Sequence, residues 1–139
     1  MTATFPSDYV KADAGEGHDW ALVTLDRDLG LALGTLPVHV LTPEEIAQVR
    51  RTGLLVDQAG YSWDTGSNLS GNNSIQHECD TTMGDSGSPL LLQVDGQWSI
   101  IAVESQFFDP ESKNGAFAGG SLAVDSRAFA QAVAEAVGG

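Results

Sequence analysis

The stretch Gly84–Pro89 places a serine between two glycines, in the order Gly-Asp-Ser-Gly-Ser-Pro. A serine hydroxyl is a weak nucleophile, and it needs nearby donors that stabilise the oxyanion formed when it attacks a carbonyl. Gly84 and Gly87 allow the backbone to turn tightly and to expose its N–H groups. This pattern is typical of acyl-transfer chemistry at Ser86. The alternative is a Gly- and Ser-rich turn that leads into a strand.

Three further segments accompany this loop. His18–Asp26 contains an aspartate directly before an Ala-Leu stretch with strand-like alternation. Ala59–Ser62 carries a Gly-Tyr pair after the apolar run 54–56. The tract His77–Thr82 immediately precedes the glycine-flanked serine. Each segment is weak evidence by itself, and their order along the chain is the informative feature.

Taken together, these segments resemble the chymotrypsin/trypsin superfamily of serine proteases. The tract His77–Thr82 is more similar to the bacterial trypsin-like members, and the resemblance runs from about Tyr9 to the C-terminus. It implies that Ser86 is the nucleophile and that Asp19 is the carboxylate that orients a histidine. It also implies that the N–H groups of Gly84 and Ser86 form the oxyanion hole.

The resemblance also places an S1 pocket, which would bind the side chain before the cleaved bond. Asp80 would form its base, and Glu104 and Ser105 would form its other wall. Carboxylates in such a pocket favour a substrate arginine or lysine. Bacterial relatives with other preferences share the Asp-Thr sequence before the loop, so other specificities stay open.

The general base of this superfamily is a histidine upstream of the aspartate, and no matching motif is present. The three histidines are His18, His39 and His77, and none has the expected sequence context. We therefore expect the 139 residues to be the C-terminal portion of a protease, with the base supplied by sequence outside them. The expected partners are a peptide or protein substrate, and either the missing N-terminal half or a second copy.

Composition favours a globular domain, with 42% hydrophobic and 18% charged residues. The net charge of −13 disfavours binding to nucleic acid and anionic membranes, because such binding requires lysine and arginine.

Cys79 is the only cysteine, so no intrachain disulfide can form. We expect no metal, because there is no Cys/His zinc spacing and four acidic residues fit no calcium-loop spacing: Asp57, Asp64, Glu78 and Asp80. We expect no cofactor, because no phosphate-binding Gly loop of P-loop or Rossmann type is present.

The elements expected to position these residues divide the chain into three parts. Residues 1–41 are a remnant of the first barrel, residues 42–53 a connecting helix, and residues 54–139 the second barrel with a C-terminal helix. A capping box at Thr42–Glu45 starts the connecting helix, and Asp95-Gly96 predicts a β-hairpin. The expected fold is all-β: a complete antiparallel six-stranded chymotrypsin-like barrel, part of another, and a terminal helix over Ser126–Val137.

The expected function is that of a serine endopeptidase that uses a Ser-His-Asp triad. Its rival is a protease homologue without catalytic activity, which binds peptides or assembles with another chain. The absence of a base in these residues favours the rival, and the intact loop around Ser86 favours the enzyme. By resemblance the parent protein is secreted or periplasmic, although residues 1–15 contain no apolar core of signal-peptide type.

Overall fold

The computed structural model describes residues 1–7, 17–52, 56–59, 63–66, 74–81, 84–107 and 118–138. Its strands are β1 (Thr2–Thr4), β2 (Leu22–Thr24), β3 (Val56–Ala59), β4 (Trp63–Gly66), β5 (Ser74–Thr81), β6 (Pro89–Val94), β7 (Gln97–Phe107) and β8 (Ala118–Asp125). Its helices are α1 (Gly30–Leu33), α2 (Pro43–Thr52) and α3 (Ala130–Gly138), with a 3₁₀ turn at Ser126–Ala128. The expectation of a mostly β chain with a C-terminal helix is confirmed.

Six strands form one antiparallel sheet in the order β4-β3-β6-β7-β8-β5, and β1 pairs with β2 in a separate two-stranded sheet. The predicted hairpin is confirmed, because the Asp95-Gly96 turn joins β6 to β7. Asp95 and Gly96 both have positive φ, at 51° and 80°. Positive φ at both central residues is the requirement of the type I′ turn that Asp-Gly favours.

The closed six-stranded barrel expected from the resemblance is not observed. The outer strands β4 and β5 approach each other, but no β-ladder joins them within the described residues. A barrel closes only when its first and last strands are also hydrogen-bonded. Register shifts interrupt the ladders β5–β8, β6–β7 and β7–β8, and such bulges bend and twist strands. The bulges therefore curve the sheet, but within the described residues it remains open because β4 and β5 share no ladder.

The hydrophobic core is built around the six-stranded sheet. It consists of apolar side chains of β5 to β8 together with a residue two positions before α2: Leu41, Ile75, Leu90, Leu92, Ile101, Ala102 and Ala123. Ile46 of α2 packs against this cluster. Cys79 is also fully buried, as expected of a cysteine that acts as a small apolar residue.

Helix α2 begins with the predicted capping box. The N–H of Glu45 donates to Oγ1 of Thr42 at 3.2 Å, and the N–H of Thr42 donates back to Oε2 of Glu45 at 2.8 Å. Pro43 occupies the first helical position, where its missing N–H is not needed. The predicted range 42–53 therefore agrees closely with the observed Pro43–Thr52.

In the N-terminal part, the stretch after Asp19 with strand-like alternation forms only the short strand β2. It is followed by the single turn α1, which starts where Oδ1 of Asp28 accepts from the N–H groups of Gly30 and Leu31. Within the described residues, none of the helices is both long enough and apolar enough to cross a membrane.

Candidate active site

The loop around Ser86 has the backbone conformation that its glycines allow. Gly84 and Gly87 have φ of 103° and 87°, in the region where a side chain would strain the backbone. Between them the chain turns so that Asp85 is fully buried while Ser86 is exposed. The loop thus presents the serine hydroxyl to solvent and directs the preceding carboxylate inward.

Two backbone hydrogen bonds hold this loop against β7, and a third lies within the loop. The N–H of Gly87 donates to the carbonyl of Glu104 at 2.9 Å, and the N–H of Glu104 donates to the carbonyl of Ser88 at 2.8 Å. The N–H of Ser88 donates to the carbonyl of Asp85 at 2.9 Å, which closes the turn. These bonds fix the position of Ser86 relative to Glu104.

No acceptor within the described residues competes for the N–H groups of the proposed oxyanion donors. Within the described ranges, the N–H groups of Gly84 and Ser86 donate to no protein group, and both residues are exposed. Preorganised N–H groups of this kind stabilise negative charge best where protein acceptors do not satisfy them.

Asp19 is attached to the same sheet by a side-chain contact. The hydroxyl of Ser105 on β7 donates to Oδ2 of Asp19 at 2.7 Å. The next residue, Trp20, packs its ring against Phe129, with ring centroids 6.3 Å apart. These two contacts place the Asp19 segment, which precedes β2, against the six-stranded sheet and the turn that leads into α3.

Asp19 and Ser86 line one cavity of about 650 Å³. Its wall combines two carboxylates, one hydroxyl and several apolar or aromatic groups: Phe5, Asp19, Trp20, Ala21, Ser86, Gly87, Val103 and Glu104. No lysine, arginine or histidine is among these lining residues. The structure thus brings the expected nucleophile and the expected orienting carboxylate to one site.

The histidines lie elsewhere. All three are in the described part of the chain, and none of them lines the cavity. His39 pairs with Glu45 of α2, with its Nε2 3.0 Å from Oε1. His77 on β5 is buried against Glu104, and His18 lies in the turn before Asp19. A general base must reach the hydroxyl that it deprotonates, and within the described residues no hydrogen bond joins a histidine to the hydroxyl of Ser86.

The buried pair of His77 and Glu104 lies directly behind the serine loop. Nε2 of His77 and Oε2 of Glu104 are 2.6 Å apart, and both side chains are almost fully buried. Burial raises the pKa of Glu104 above its ordinary range, the hydrogen bond from His77 partly offsets this rise, and the charge of Asp85 adds to it. Neither Nδ1 of His77 nor Oε1 of Glu104 has a hydrogen-bond partner within the described residues.

Of the three residues expected in the S1 pocket, only Glu104 is among the residues that line the cavity beside Ser86. The backbone of Asp80 is in β5, opposite Gly119 of β8, and its side chain lies outside the described part of the structure. Ser105 is not among the residues that line the cavity, and it supports Asp19 instead. Glu104 does line the cavity. The Gly60–Ser62 part of the Gly-Tyr segment also lies outside the described residues.

Sequence reasoning did not predict the Asp19–Ser105 hydrogen bond or the His77–Glu104 pair. One available signal was strand alternation, because neighbouring residues of a strand point to opposite faces. Glu104 and Ser105 must therefore contact different partners. A polar residue at an inward position of a sheet also requires a buried polar partner, and His77 on a nearby strand can provide it.

Within the described ranges, no group of three or more His, Cys, Asp or Glu side chains is arranged to hold a metal ion. In comparisons with known proteins, the chain matches no protein-family model and no curated protein.

Proposed function

We propose that this chain carries the nucleophile and the orienting carboxylate of a serine endopeptidase with a Ser-His-Asp triad. The observation that supports this proposal is that Asp19, held by Ser105, and Ser86 line one cavity. We propose that the open six-stranded sheet corresponds to the second barrel of a chymotrypsin-like protease of bacterial trypsin-like type, and residues 1–41 to part of the first barrel. Export to the periplasm or the medium belongs to the same proposal.

In this mechanism a histidine from outside residues 1–139 enters the cavity between Asp19 and Ser86. It takes the proton of the Ser86 hydroxyl while Oγ attacks the peptide carbonyl carbon. The N–H groups of Gly84 and Ser86 donate to the resulting oxyanion. The histidine then gives the proton to the leaving amine, and water releases the acyl group from Ser86. Asp19 accepts a hydrogen bond from the imidazole and stabilises its cationic form.

The test is labelling of residues 1–139 with an organophosphorus serine probe, with and without added imidazole. Removing the base from such a triad costs several orders of magnitude in rate, so we expect slow labelling that free imidazole accelerates. Mass spectrometry should locate the adduct on Ser86, and Ser86→Ala should abolish it. Ser105→Ala should slow the imidazole-dependent labelling about tenfold or more, the cost of a lost hydrogen bond to a charged group, and Ser105→Thr should restore it.

Rapid labelling of Ser86 without imidazole would mean that the chain contains its own base, and His18 and His39 are the first residues to replace. Labelling that reaches other serines but never Ser86, with or without imidazole, would exclude the nucleophile role.

A second candidate function is a peptide-binding or assembly module without catalysis. The position of the histidines supports it, because none of the three lines the cavity. This function predicts that peptides bind equally well to the wild type and to Ser86→Ala, and that no added imidazole activates Ser86. The labelling experiment therefore separates the two candidates.

A further inference from the structure

Glu104 connects the serine loop to a buried histidine of another strand. Its carbonyl accepts from the N–H of Gly87 at 2.9 Å, and its own N–H donates to the carbonyl of Ser88 at 2.8 Å. Its carboxyl is held by β5, where Oε2 lies 2.6 Å from Nε2 of His77. A change in how this side chain is held would therefore reach the backbone that fixes the serine loop.

The number of protons on the His77–Glu104 pair determines its charge. A hydrogen-bond distance between the ring nitrogen and the carboxyl oxygen requires one proton between them. With that proton alone, a carboxylate faces a neutral imidazole and the pair carries one negative charge. With a second proton the pair is neutral overall, either as an ion pair or as two uncharged groups.

Burial favours the pair with two protons. The side chains of His77 and Glu104 are 0% and 3% exposed. Within the described residues, neither Nδ1 of His77 nor Oε1 of Glu104 has a hydrogen-bond partner that could stabilise a net charge. A buried net charge costs far more than a buried neutral polar atom without a partner. The pair should therefore retain its second proton to a higher pH than an exposed carboxyl would.

The groups around Glu104 act in the same direction. Burial raises the pKa of Glu104, the contact with His77 partly offsets the rise, and the charge of Asp85 in the serine loop adds to it. Asp19 lines the same cavity as Glu104, and Ala123, which lies opposite Glu104 on β8, has no charge. Among these groups, His77 is the one that can offset a negative charge on Glu104.

We propose that His77 and Glu104 form a proton-controlled latch for the serine loop. While the pair holds two protons, it is neutral and keeps the Glu104 side chain packed against β5, with the loop in the observed position. When rising pH removes one proton, the buried negative charge weakens this packing, and the hydrogen bonds from Glu104 to Gly87 and Ser88 open more often. His77 is then a positioning residue, because it acts on Ser86 through Glu104.

The effect of the latch on catalysis rests on the proposed protease function, whereas the control of the loop requires neither a nucleophile nor a base. A histidine base accepts the serine proton only after it has lost its own proton. The latch, in contrast, holds the loop only while the His77–Glu104 pair keeps its second proton. Activity should therefore rise and then fall with increasing pH.

The test measures hydrogen exchange of the Gly87 and Glu104 amides by NMR in the 139-residue chain over a series of pH values. These two N–H groups donate the hydrogen bonds between the loop and β7. We expect their protection to fall with rising pH, relative to the slowest-exchanging amides of the sheet, which report global unfolding. Loss of one proton limits the fall to about tenfold per pH unit. The nitrogen shifts of the His77 ring should change over the same pH range.

Glu104→Gln separates the latch from other titrating groups, because glutamine is neutral at every pH and has nearly the shape of a protonated carboxyl. In this variant the loop amides should keep their protection throughout the series. Glu135→Gln, the same substitution at an exposed residue of α3, should retain the wild-type pH dependence. Labelling of Ser86 at a fixed concentration of imidazole should decline at high pH in the wild type but not in Glu104→Gln.

Relative protection of the loop amides that is independent of pH would overturn the proposal. So would a pH dependence that persists in Glu104→Gln, since another group would then control the loop. If Glu104→Gln does not fold, the wild type decides, because loop protection and His77 ring shifts that change over different pH ranges would also overturn the latch. If Ser86 never reacts with the serine probe but loop protection follows the protonation of the pair, the protease function fails and the latch stands.

Discussion

Glu104 and Ser105 are adjacent on β7, yet they serve two different parts of the site. Glu104 pairs with His77, whereas Ser105, which has no partner in the ladder to β8, donates to Asp19. The register of β7 against β8 shifts between Glu104 and Gln106. A further slip of one residue would exchange the positions of the Glu104 and Ser105 side chains. The Ser105 hydroxyl would then be buried and could no longer donate its hydrogen bond to Asp19.

The carboxyl of Glu104 should make stability depend on pH. Its pKa is raised from 4.5 in the folded protein, because burial disfavours the charged form. The folded state therefore binds more protons than the unfolded state between 4.5 and the raised value. The stabilisation that the Glu104 carboxyl adds to the free energy of unfolding is fully present below pH 4.5, and it is lost as pH rises through the folded-state pKa.

We expect the free energy of unfolding of the wild type to fall relative to that of Glu104→Gln as pH rises through this window. The slope for one group is at most about 1.4 kcal/mol per pH unit. Urea unfolding at a series of pH values measures it, with Glu135→Gln as a matched exposed control that should follow the wild type. Parallel curves for the wild type and Glu104→Gln would show that Glu104 has an ordinary pKa.

At the scale of elements, the features predicted from sequence are those fixed by neighbours along the chain. The capping box of α2 involves Thr42 and Glu45, three positions apart, and the β6–β7 hairpin follows from Asp95-Gly96. Both depend on local backbone chemistry, which a short stretch of sequence contains. The open edge of the sheet depends on pairing between β4 and β5, which no local pattern determines.

The hairpin turn gives a prediction for Gly96, whose φ is 80°. A Cβ added there would meet nothing within 4 Å, so a substitution acts through backbone strain alone. Gly96→Ala should lower the free energy of unfolding by about 1–2 kcal/mol, the cost of a left-handed conformation for a non-glycine residue. Denaturant unfolding measures the loss.

Gly138→Ala is the matched control, since an added Cβ is equally unobstructed there and the residue ends α3. It should change stability by no more than about 0.5 kcal/mol. Equal effects at the two positions would mean that the turn relaxes to accept a side chain.

The candidate site shows where prediction from sequence stops. The loop around Ser86 was identifiable because its glycines and serine are contiguous. The Asp19–Ser105 hydrogen bond joins residues 86 positions apart, and the His77–Glu104 pair joins residues 27 positions apart. Such pairs form only after strands are ordered within the sheet. Composition and periodicity specify that these residues are polar but not which partner each one finds.

At the scale of the whole molecule, the N-terminal part exposes a large share of its apolar side chains. These side chains, here called the N-terminal apolar group, are Met1, Phe5, Val23, Leu25, Leu29, Leu31, Leu33, Leu36 and Val40. Leu31 and Leu33 of α1 are 90% and 79% exposed. The two-stranded sheet β1–β2 also has unpaired outer edges within the described residues, and such edges recruit other chains.

We predict that the 139-residue chain self-associates, and that association increases with salt because screening weakens repulsion between copies of charge −13. Light scattering at low and high ionic strength measures the effect. The double variant Leu31→Gln, Leu33→Gln should reduce association. Val137→Gln, which replaces an exposed apolar residue on α3, should not. If the chain is a monomer under all salt conditions, the exposed N-terminal apolar group does not drive self-association.

The Asp19 segment should detach from the rest of the protein before the core unfolds. The segment meets the rest of the protein at the Ser105 hydroxyl and at the ring of Phe129, outside the buried cluster around Leu90 and Ile101. Detaching it is a local opening, whose free energy is smaller than that of global unfolding. Mild heat or denaturant would therefore remove the carboxylate from the serine while every spectroscopic signal of the core still reports a native protein. Separation of Asp19 from the Ser86 loop would precede unfolding of the core, and the interval between the two transitions would measure how firmly this segment is docked.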